Sequence, residues 1–292
     1  MAWLQLSIEA SQPDAEQVAA SLEAAGALSV TLADAADEPQ LEPGPGETPL
    51  WSQIRVSALF DADPESERLV GRLARHLSDE IGADPLIERI ADQVWERVWL
   101  DTFKPTRFGR RLWVCPHGQT PDDPEAILVA LDPGLAFGTG HHPTTALCLE
   151  WLDGTALAGK SVLDYGCGSG ILAIAALRLG AAQAIAVDHD PQALEATRDN
   201  ARANKVADRL AICRPDDLAE VSVDCVIANI LAGPLIALAP RLVDALRPGG
   251  VLALSGVLTD QVEAVSLAYS ARIALASPRA REDWALISGL RT

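Results

Sequence analysis

Apolar and polar positions alternate strictly at the start of the chain. WLQLSIEA repeats with period two, the mark of a half-buried strand. Pro13–Ala25 switches to helical spacing and stops at Gly26. ALSVTLAD and WSQIRVSALF alternate again, and PLIERIA predicts a fourth strand. Between the second and third strands, Asp37–Pro49 (DEPQLEPGPGETP) is rich in Pro, Gly and Glu and predicts a surface loop. Asp63-Pro64 supplies an N-cap and a first-turn proline for a helix reaching about Ser78. The order β-α-β-β-α-β predicts a ferredoxin-like α+β domain over residues 1–91.

The pattern then changes twice. Residues 92–124 are expected to connect two domains: DQVWERVWLDTF is aromatic and helix-like, and FKPTRFGRRLWVCP is basic and ends in a strand. Over residues 125–292 strands and helices alternate. SVLDYGCG precedes helix ILAIAALRLG, and AIAVDHD precedes a helix from Pro191 to about Lys205 capped by Asp190. LAICRPD, CVIANI, VLALSGVL, IALASP and WALISGL supply further strands, and PLIALAPRLVDALR and TDQVEAVSLAYS further helices. The early strands are continuous apolar runs, as parallel strands covered on both faces are. This predicts a doubly wound, Rossmann-like α/β sheet with an antiparallel strand at its end.

Composition narrows the function. The 292 residues are 49% apolar and 22% charged, the balance of a globular protein. Net charge is −18, and it is uneven: residues 1–100 hold 19 acids and 6 bases, the remainder 22 and 17. Such a chain repels phosphate backbones, which argues against direct nucleic-acid binding and for a basic partner. Five scattered cysteines without CxxC spacing fit a reducing compartment. The N-terminus lacks a basic signal-peptide start, and the most apolar run, ILAIAALRLGAAQAIAV, is broken by Arg178, Gly180 and Gln183. A cytoplasmic protein without a membrane span is expected.

Four segments carry candidate chemistry. In VLDYGCGSG, glycines 166, 168 and 170 lie between a strand and a helix, where backbone can approach a ligand closely. The dinucleotide fingerprint needs a glycine where Ile171 stands, and Asp164 would repel a pyrophosphate. An acid beneath the loop favours a ligand with positive charge, such as S-adenosylmethionine, over a nicotinamide dinucleotide. Asp188 ends the next strand, 22 residues past Gly166, where a carboxylate can accept from both ribose hydroxyls. Asp216 and Asp217 follow the third strand, where an acid faces either an adenine edge or solvent. Asn229 ends the fourth strand in ANILAGP; its amide oxygen can accept from a substrate amine and aim the nitrogen lone pair. Many amino-methyltransferases have two prolines and an aromatic after this Asn; here Ile230, Leu231 and Ala232 follow, which argues against a planar base as substrate. The small residues Ala228, Ala232 and Gly233 are expected to leave room beside this strand end. Leu131–Thr145 (LDPGLAFGTGHHPTT) is glycine-rich, and Thr145 is expected to open a helix and offer its hydroxyl. Adjacent His141 and His142 lack metal-ligand spacing, so no metal is expected, and Cys167 reads as a small loop-filling residue.

LDPGLAFGTGHHPTT, VLDYGCGSGILAIAALRLGA, AVDHDPQALEATRDNARAN and ANILAGPL together resemble the bacterial ribosomal protein L-eleven (L11) methyltransferase family, over essentially the whole chain. The resemblance implies a cytoplasmic enzyme that uses S-adenosylmethionine to trimethylate lysine side chains and the N-terminal amine of that large-subunit ribosomal protein. It implies substrate recognition by the N-terminal domain and a class I methyltransferase domain behind it. It carries cofactor contact to Thr145, Gly166, Gly168, Asp188 and Asn229, with Asn229 also orienting the amine, and places Trp284 near the active site. A non-enzymatic module that only holds the cofactor is the rival on the same sequence.

Overall fold

The computed structural model describes residues 2–36, 50–91, 104–131 and 142–292. The expected loop Asp37–Pro49, the aromatic half of the expected connector and most of the FGTGHH run, including His141, lie outside the described residues. The chain divides into two compact units, Met1–Trp95 and Glu96–Thr292.

In the first unit β1 (Ala2–Ser11), β2 (Ser29–Asp34), β3 (Gln53–Asp61) and β4 (Leu86–Ala91) form one sheet in the order β2-β3-β1-β4. The strands pair antiparallel, and α1 (Gln12–Ala24) and α2 (Pro64–Ile81) are the two connections, the split βαβ arrangement. Period two decides the buried face: Leu4, Leu6, Ile8 and Ala10 of β1 and Ile54, Val56, Ala58 and Phe60 of β3 meet Val18 and Leu22 of α1 and Val70 and Leu77 of α2. Asp63 caps α2, accepting from Glu65 N (2.8 Å) and Ser66 N (3.0 Å). These amides hold its carboxyl below the usual value. Gly82 ends the helix in the left-handed conformation at φ 75°.

The second unit opens with a small sheet of β5 (Thr106–Phe108), β6 (Leu112–Cys115) and β7 (Ile127–Ala130). Much of the stretch expected as a connector is therefore built into this unit. Phe108, Leu112 and Val114 are apolar at alternate positions and join the main core, which a free linker could not do. The large sheet runs β10-β9-β8-β11-β12-β15-β13. Its strands are β8 (Ser161–Tyr165), β9 (Gln183–Val187), β10 (Leu210–Cys213), β11 (Val223–Asn229), β12 (Leu246–Leu258), β13 (Ile273–Leu275) and β15 (Trp284–Arg291), with β14 (Arg279–Arg281) paired to β15. β10 to β12 are parallel and β15 is antiparallel.

Both faces are covered, which is why these strands read as unbroken apolar runs. Val162, Cys225, Ile227 and Ala253 face one core with α3 (Pro143–Gly154) and α4 (Ile171–Arg178). Their neighbours Leu163, Val226, Ala228, Leu252 and Leu254 face the other, with α6 (Ala232–Ala245) and α7 (Val262–Tyr269). α5 (Pro191–Ala203) follows β9. Strand order reverses between β8 and β11, so a crevice is expected beyond their carboxyl ends. Among the described residues no helix is long and apolar enough to cross a membrane.

Candidate active site

The turn after β8 is set by its glycines. Gly166, Gly168 and Gly170 have φ of 81°, 53° and 78°, the left-handed region that L side chains rarely adopt. Space is also short. A Cβ on Gly166 would strike Ile230 Cγ2, and one on Gly170 would lie 2.7 Å from Thr197 Cγ2. Helix α5 holds the loop from outside, Thr197 Oγ1 donating to Gly168 O and Asn200 Nδ2 to Ser169 O, both at 2.9 Å.

The loop amides are largely spent inside the protein. Gly166 N and Cys167 N donate to Val187 O (2.8 and 3.0 Å), Gly170 N donates to Cys167 O (2.8 Å), and Gly168 N donates to Asp188 Oδ2 (2.9 Å). A phosphate-cradling loop needs those amides free. Here the loop is lined instead by carboxylates.

Asp188 sits where the sequence places it, at the end of β9, but its carboxylate already works for the loop. Oδ2 takes Gly168 N and Oδ1 takes Asp190 N (3.0 Å). Each oxygen retains a second lone pair. Asp190 caps α5 by accepting from Gln192 N at 2.9 Å, as its sequence position suggests. Asp164 is fully buried; Oδ2 accepts from Ala173 N at 3.0 Å, while Oδ1 has no hydrogen-bond partner among the described residues. Burial pushes its carboxyl up to about 7, opposed by the Ala173 amide and helped by the charge of Asp188. A buried, half-satisfied carboxyl under a glycine turn suits a positively charged ligand and not an anion.

Thr145 and Asn229 are 84 residues apart and meet: Asn229 Nδ2 donates to Thr145 Oγ1 at 3.3 Å. That bond is made by the amide nitrogen, so the amide oxygen is not spent on it. Helix α3 begins two residues earlier than expected, at Pro143, so Thr145 lies inside its first turn and is buried. His142 is the N-cap. Its Nδ1 accepts from Thr144 N (3.4 Å) and pairs with Thr144 Oγ1 (2.7 Å). Burial lowers the pKa of this imidazole, and Glu282 pulls the other way. The ring meets Trp284 edge-on, centroids 4.9 Å apart, so Trp284 stands at the helix end that carries Thr145.

The remaining sequence expectations resolve in different ways. Ala228 and Ala232 are buried in the core, because alternation turns Ala228 away from the crevice and α6 packs Ala232 inward; neither leaves room at the site. Gly233 is exposed and open around its Cβ direction. Asp216 and Asp217 lie in an exposed 3₁₀ turn, Pro215–Asp217. Cys167 is buried, pairs with Thr197 Oγ1 at 3.5 Å, and burial raises its thiol far out of the nucleophilic range. Among the described residues no cluster of His, Cys, Asp and Glu suits a metal ion.

Sequence reasoning missed Thr197, Asn200, Ile230 and Gly256. Ile230 is wedged between Gly166 and Gly256; a Cβ on Gly256 would fall 2.5 Å from Ile230 O. The signal for Thr197 and Asn200 was available, since they share one face of the helix predicted from Pro191.

The sequence matches, over residues 2–292, the model of a family described as ribosomal protein L11 methyltransferase (PrmA). The ribosomal protein L11 methyltransferase of Pseudomonas paraeruginosa (strain DSM 24068 / PA7) is 53% identical over 292 residues, covering 100% of this chain and 99% of that one. That of Edwardsiella ictaluri (strain 93-146) is 52% identical over 291 residues, covering 99% of each. The crystal structure of a ribosomal protein L11 methylase from Lactobacillus delbrueckii subsp. bulgaricus superposes with a TM-score of 0.60 at 29% identity, covering 65% of this chain and 100% of that chain. A glycine turn lined by carboxylates, a paired Thr145 and Asn229, and full-length similarity agree: this chain belongs to the ribosomal protein L11 methyltransferase (PrmA) family.

Proposed function

We propose that this protein transfers methyl groups from S-adenosylmethionine to amines of ribosomal protein L11, trimethylating lysine side chains and the N-terminal amine, in the cytoplasm. The observation that carries the reading is the Thr145–Asn229 pair, which fixes an amide at the strand end beside the glycine turn. S-adenosylmethionine supplies an activated methyl group on a positive sulfur. The Asp188 carboxylate gives the turn the negative field such a ligand needs, a cation beside Asp164 would favour loss of its tightly held proton, and the spare lone pairs of Asp188 suit the ribose hydroxyls.

Methyl transfer is an in-line displacement. The amine lone pair forms the N–C bond as the S–C bond breaks, and the sulfur leaves neutral as a thioether. The amine must therefore be uncharged. A free lysine near pKa 10.4 is neutral in about one part in a thousand at pH 7.4, so the site must favour the neutral form and let the proton go to water. Asn229 acts as orienter in the first two transfers: its amide oxygen accepts from an amine N–H and turns the lone pair towards the methyl carbon, whereas the neutral dimethylamine of the third carries no N–H and is not held by this bond. Ribosomal protein L11 incubated with the enzyme and S-adenosylmethionine should gain about 42 Da per fully methylated amine by mass spectrometry. Cofactor binding without mass gain would favour the non-enzymatic rival.

The first unit is proposed to recognise the substrate. Residues 1–100 carry 19 acids against 6 bases, a field that attracts a basic ribosomal protein and repels nucleic acid. Deleting residues 1–90 should leave cofactor affinity in place. It should slow methylation of intact L11 about tenfold or more and remove most of the salt dependence that the full-length enzyme should show, since screening acts within about 10 Å at 0.1 M salt. Equal activity of the two soluble forms would refute that role.

A further inference from the structure

The pairing of β12 with β15 slips between Leu254 and Val257, a bulge that takes in Ser255 and Gly256. Gly256 has φ at 78°. A glycine inside a strand often marks a place where another backbone comes close. Here that backbone belongs to Ile230, the residue after Asn229. A Cβ on Gly256 would stand 2.5 Å from Ile230 O, 2.8 Å from its carbonyl carbon and 3.0 Å from its N. These are main-chain atoms, which cannot swing aside as the end of a side chain can.

Ile230 is stopped on its other side as well. Its Cγ2 fills the space where Gly166 would carry a Cβ. Ile230 N donates to Ser255 O at 3.2 Å. Ser255 is itself fixed: it is fully buried, lies opposite Asn229 in the β11–β12 register, and donates from Oγ to Ala285 O at 2.9 Å. Ile230 is thus held between the β12 bulge and the glycine turn. Its N belongs to the rigid peptide group that it shares with Asn229, so a shift of Ile230 is a shift of Asn229. The Asn229 amide has to meet Thr145 Oγ1 at 3.3 Å.

We propose that Gly256 is a positioning residue for methyl transfer: by carrying no side chain it lets the Ile230 backbone close on β12, and this contact, with Ile230 Cγ2 against Gly166, sets the Asn229 amide relative to the glycine turn. The proposal rests on the methyltransferase reading above and on Asn229 as orienter. Gly256 acts through Ile230 and Asn229 and not by a group of its own. The role has a signature that plain damage to the fold lacks. Asn229 holds an amine N–H in the first two transfers, and the dimethylamine of the third has none to hold. A misplaced Asn229 therefore slows the first two steps and spares the third.

The test uses the full chain, with S-adenosylmethionine affinity by calorimetry and thermal melting as the fold control. It needs two substrates: unmodified L11, and L11 whose amines have been dimethylated chemically with formaldehyde and a hydride reductant. Gly256→Ala should lower kcat on unmodified L11 about tenfold, raise cofactor Kd no more than about threefold, and leave kcat on dimethylated L11 within about twofold. Alanine at this φ is strained, so Ile230→Ala is the second variant. It removes Cγ2, frees the same peptide group from the other side, and should show the same split between substrates. Ile230→Val keeps a Cγ2 and should give wild-type kcat on both. Folded Gly256→Ala or Ile230→Ala enzyme with wild-type kcat on unmodified L11 would overturn the proposal, as would equal slowing on the two substrates. Asn229→Ala should also split them, and absence of the split there would overturn the orienter role on which the proposal rests. Failure of the function itself is seen separately, as wild-type enzyme that neither binds S-adenosylmethionine nor methylates L11.

Discussion

Asp164 and Asp224 stand at opposite ends of neighbouring parallel strands, and the protein treats them in opposite ways. Asp224, at the amino end of β11, is 8% exposed and richly served. Its Oδ2 takes Ser161 N and Ser161 Oγ, each at 2.8 Å, and its Oδ1 faces Lys160 Nζ at 3.3 Å and pairs with Arg247. Asp164, at the carboxyl end of β8, has one backbone amide and an oxygen with no hydrogen-bond partner among the described residues. A carboxylate that only holds the fold is satisfied by the fold. Asp164, left short beneath the glycine turn, has an oxygen that a ligand there can still satisfy.

The sharpest way to break the comparison is by pH. Asp164 binds its proton more tightly folded than unfolded, so wild-type stability should fall as pH rises from about 4 to about 7, by at most about 4 kcal/mol. Asp164→Asn is neutral throughout and should lack that slope in a series of denaturant melts, whereas Asp224→Asn should keep it. Next in size, Asp224→Ala should cost about 3 kcal/mol by denaturant unfolding, since two hydrogen bonds to a charged group are lost, with cofactor affinity unchanged. Asn229→Ala should leave melting near wild type and lower kcat on L11 about thirtyfold, more than it weakens cofactor binding; an unchanged kcat would make Asn229 a turn residue only. Smallest is Asp188→Ala, which removes the Gly168 anchor and a ribose acceptor together and should weaken S-adenosylmethionine about tenfold by calorimetry.

The fold was readable where periodicity is strong. Leu4, Leu6, Ile8 and Ala10 announce a one-sided strand, and the unbroken run at Val223–Asn229 a two-sided one. β14 was not readable. RAR has no apolar alternation, and its placement depends on pairing with β15 and on Glu150, which meets Arg279 and Arg281 at 2.8 and 2.7 Å. The small sheet was half visible: its strands are short, and the parallel partnership of β6 with β7 is made across eleven intervening residues. At the site, Gly166, Asp188 and Asn229 could be picked out because strand ends punctuate the pattern. The partnership of Asn229 with Thr145 could not, because contacts made by folding leave no local trace. Ala228 misled for the converse reason: its size suggested room, and only the pleat shows which way it points.

Cys167 lies inside the glycine turn, and the other cysteines are buried or half-buried, with none in a disulfide. Burial raises all five thiols above their usual value, which slows attack by an alkylating reagent on the intact molecule. Labelling at Cys167 must wait for the turn to part from Thr197, while Cys225, in the middle of the sheet, must wait for much wider opening. The chain thus carries a built-in stopwatch: the rate at which Cys167 takes up a maleimide, measured against Cys225, separates breathing of the turn from unfolding of the whole, and a bound ligand should slow the first without touching the second.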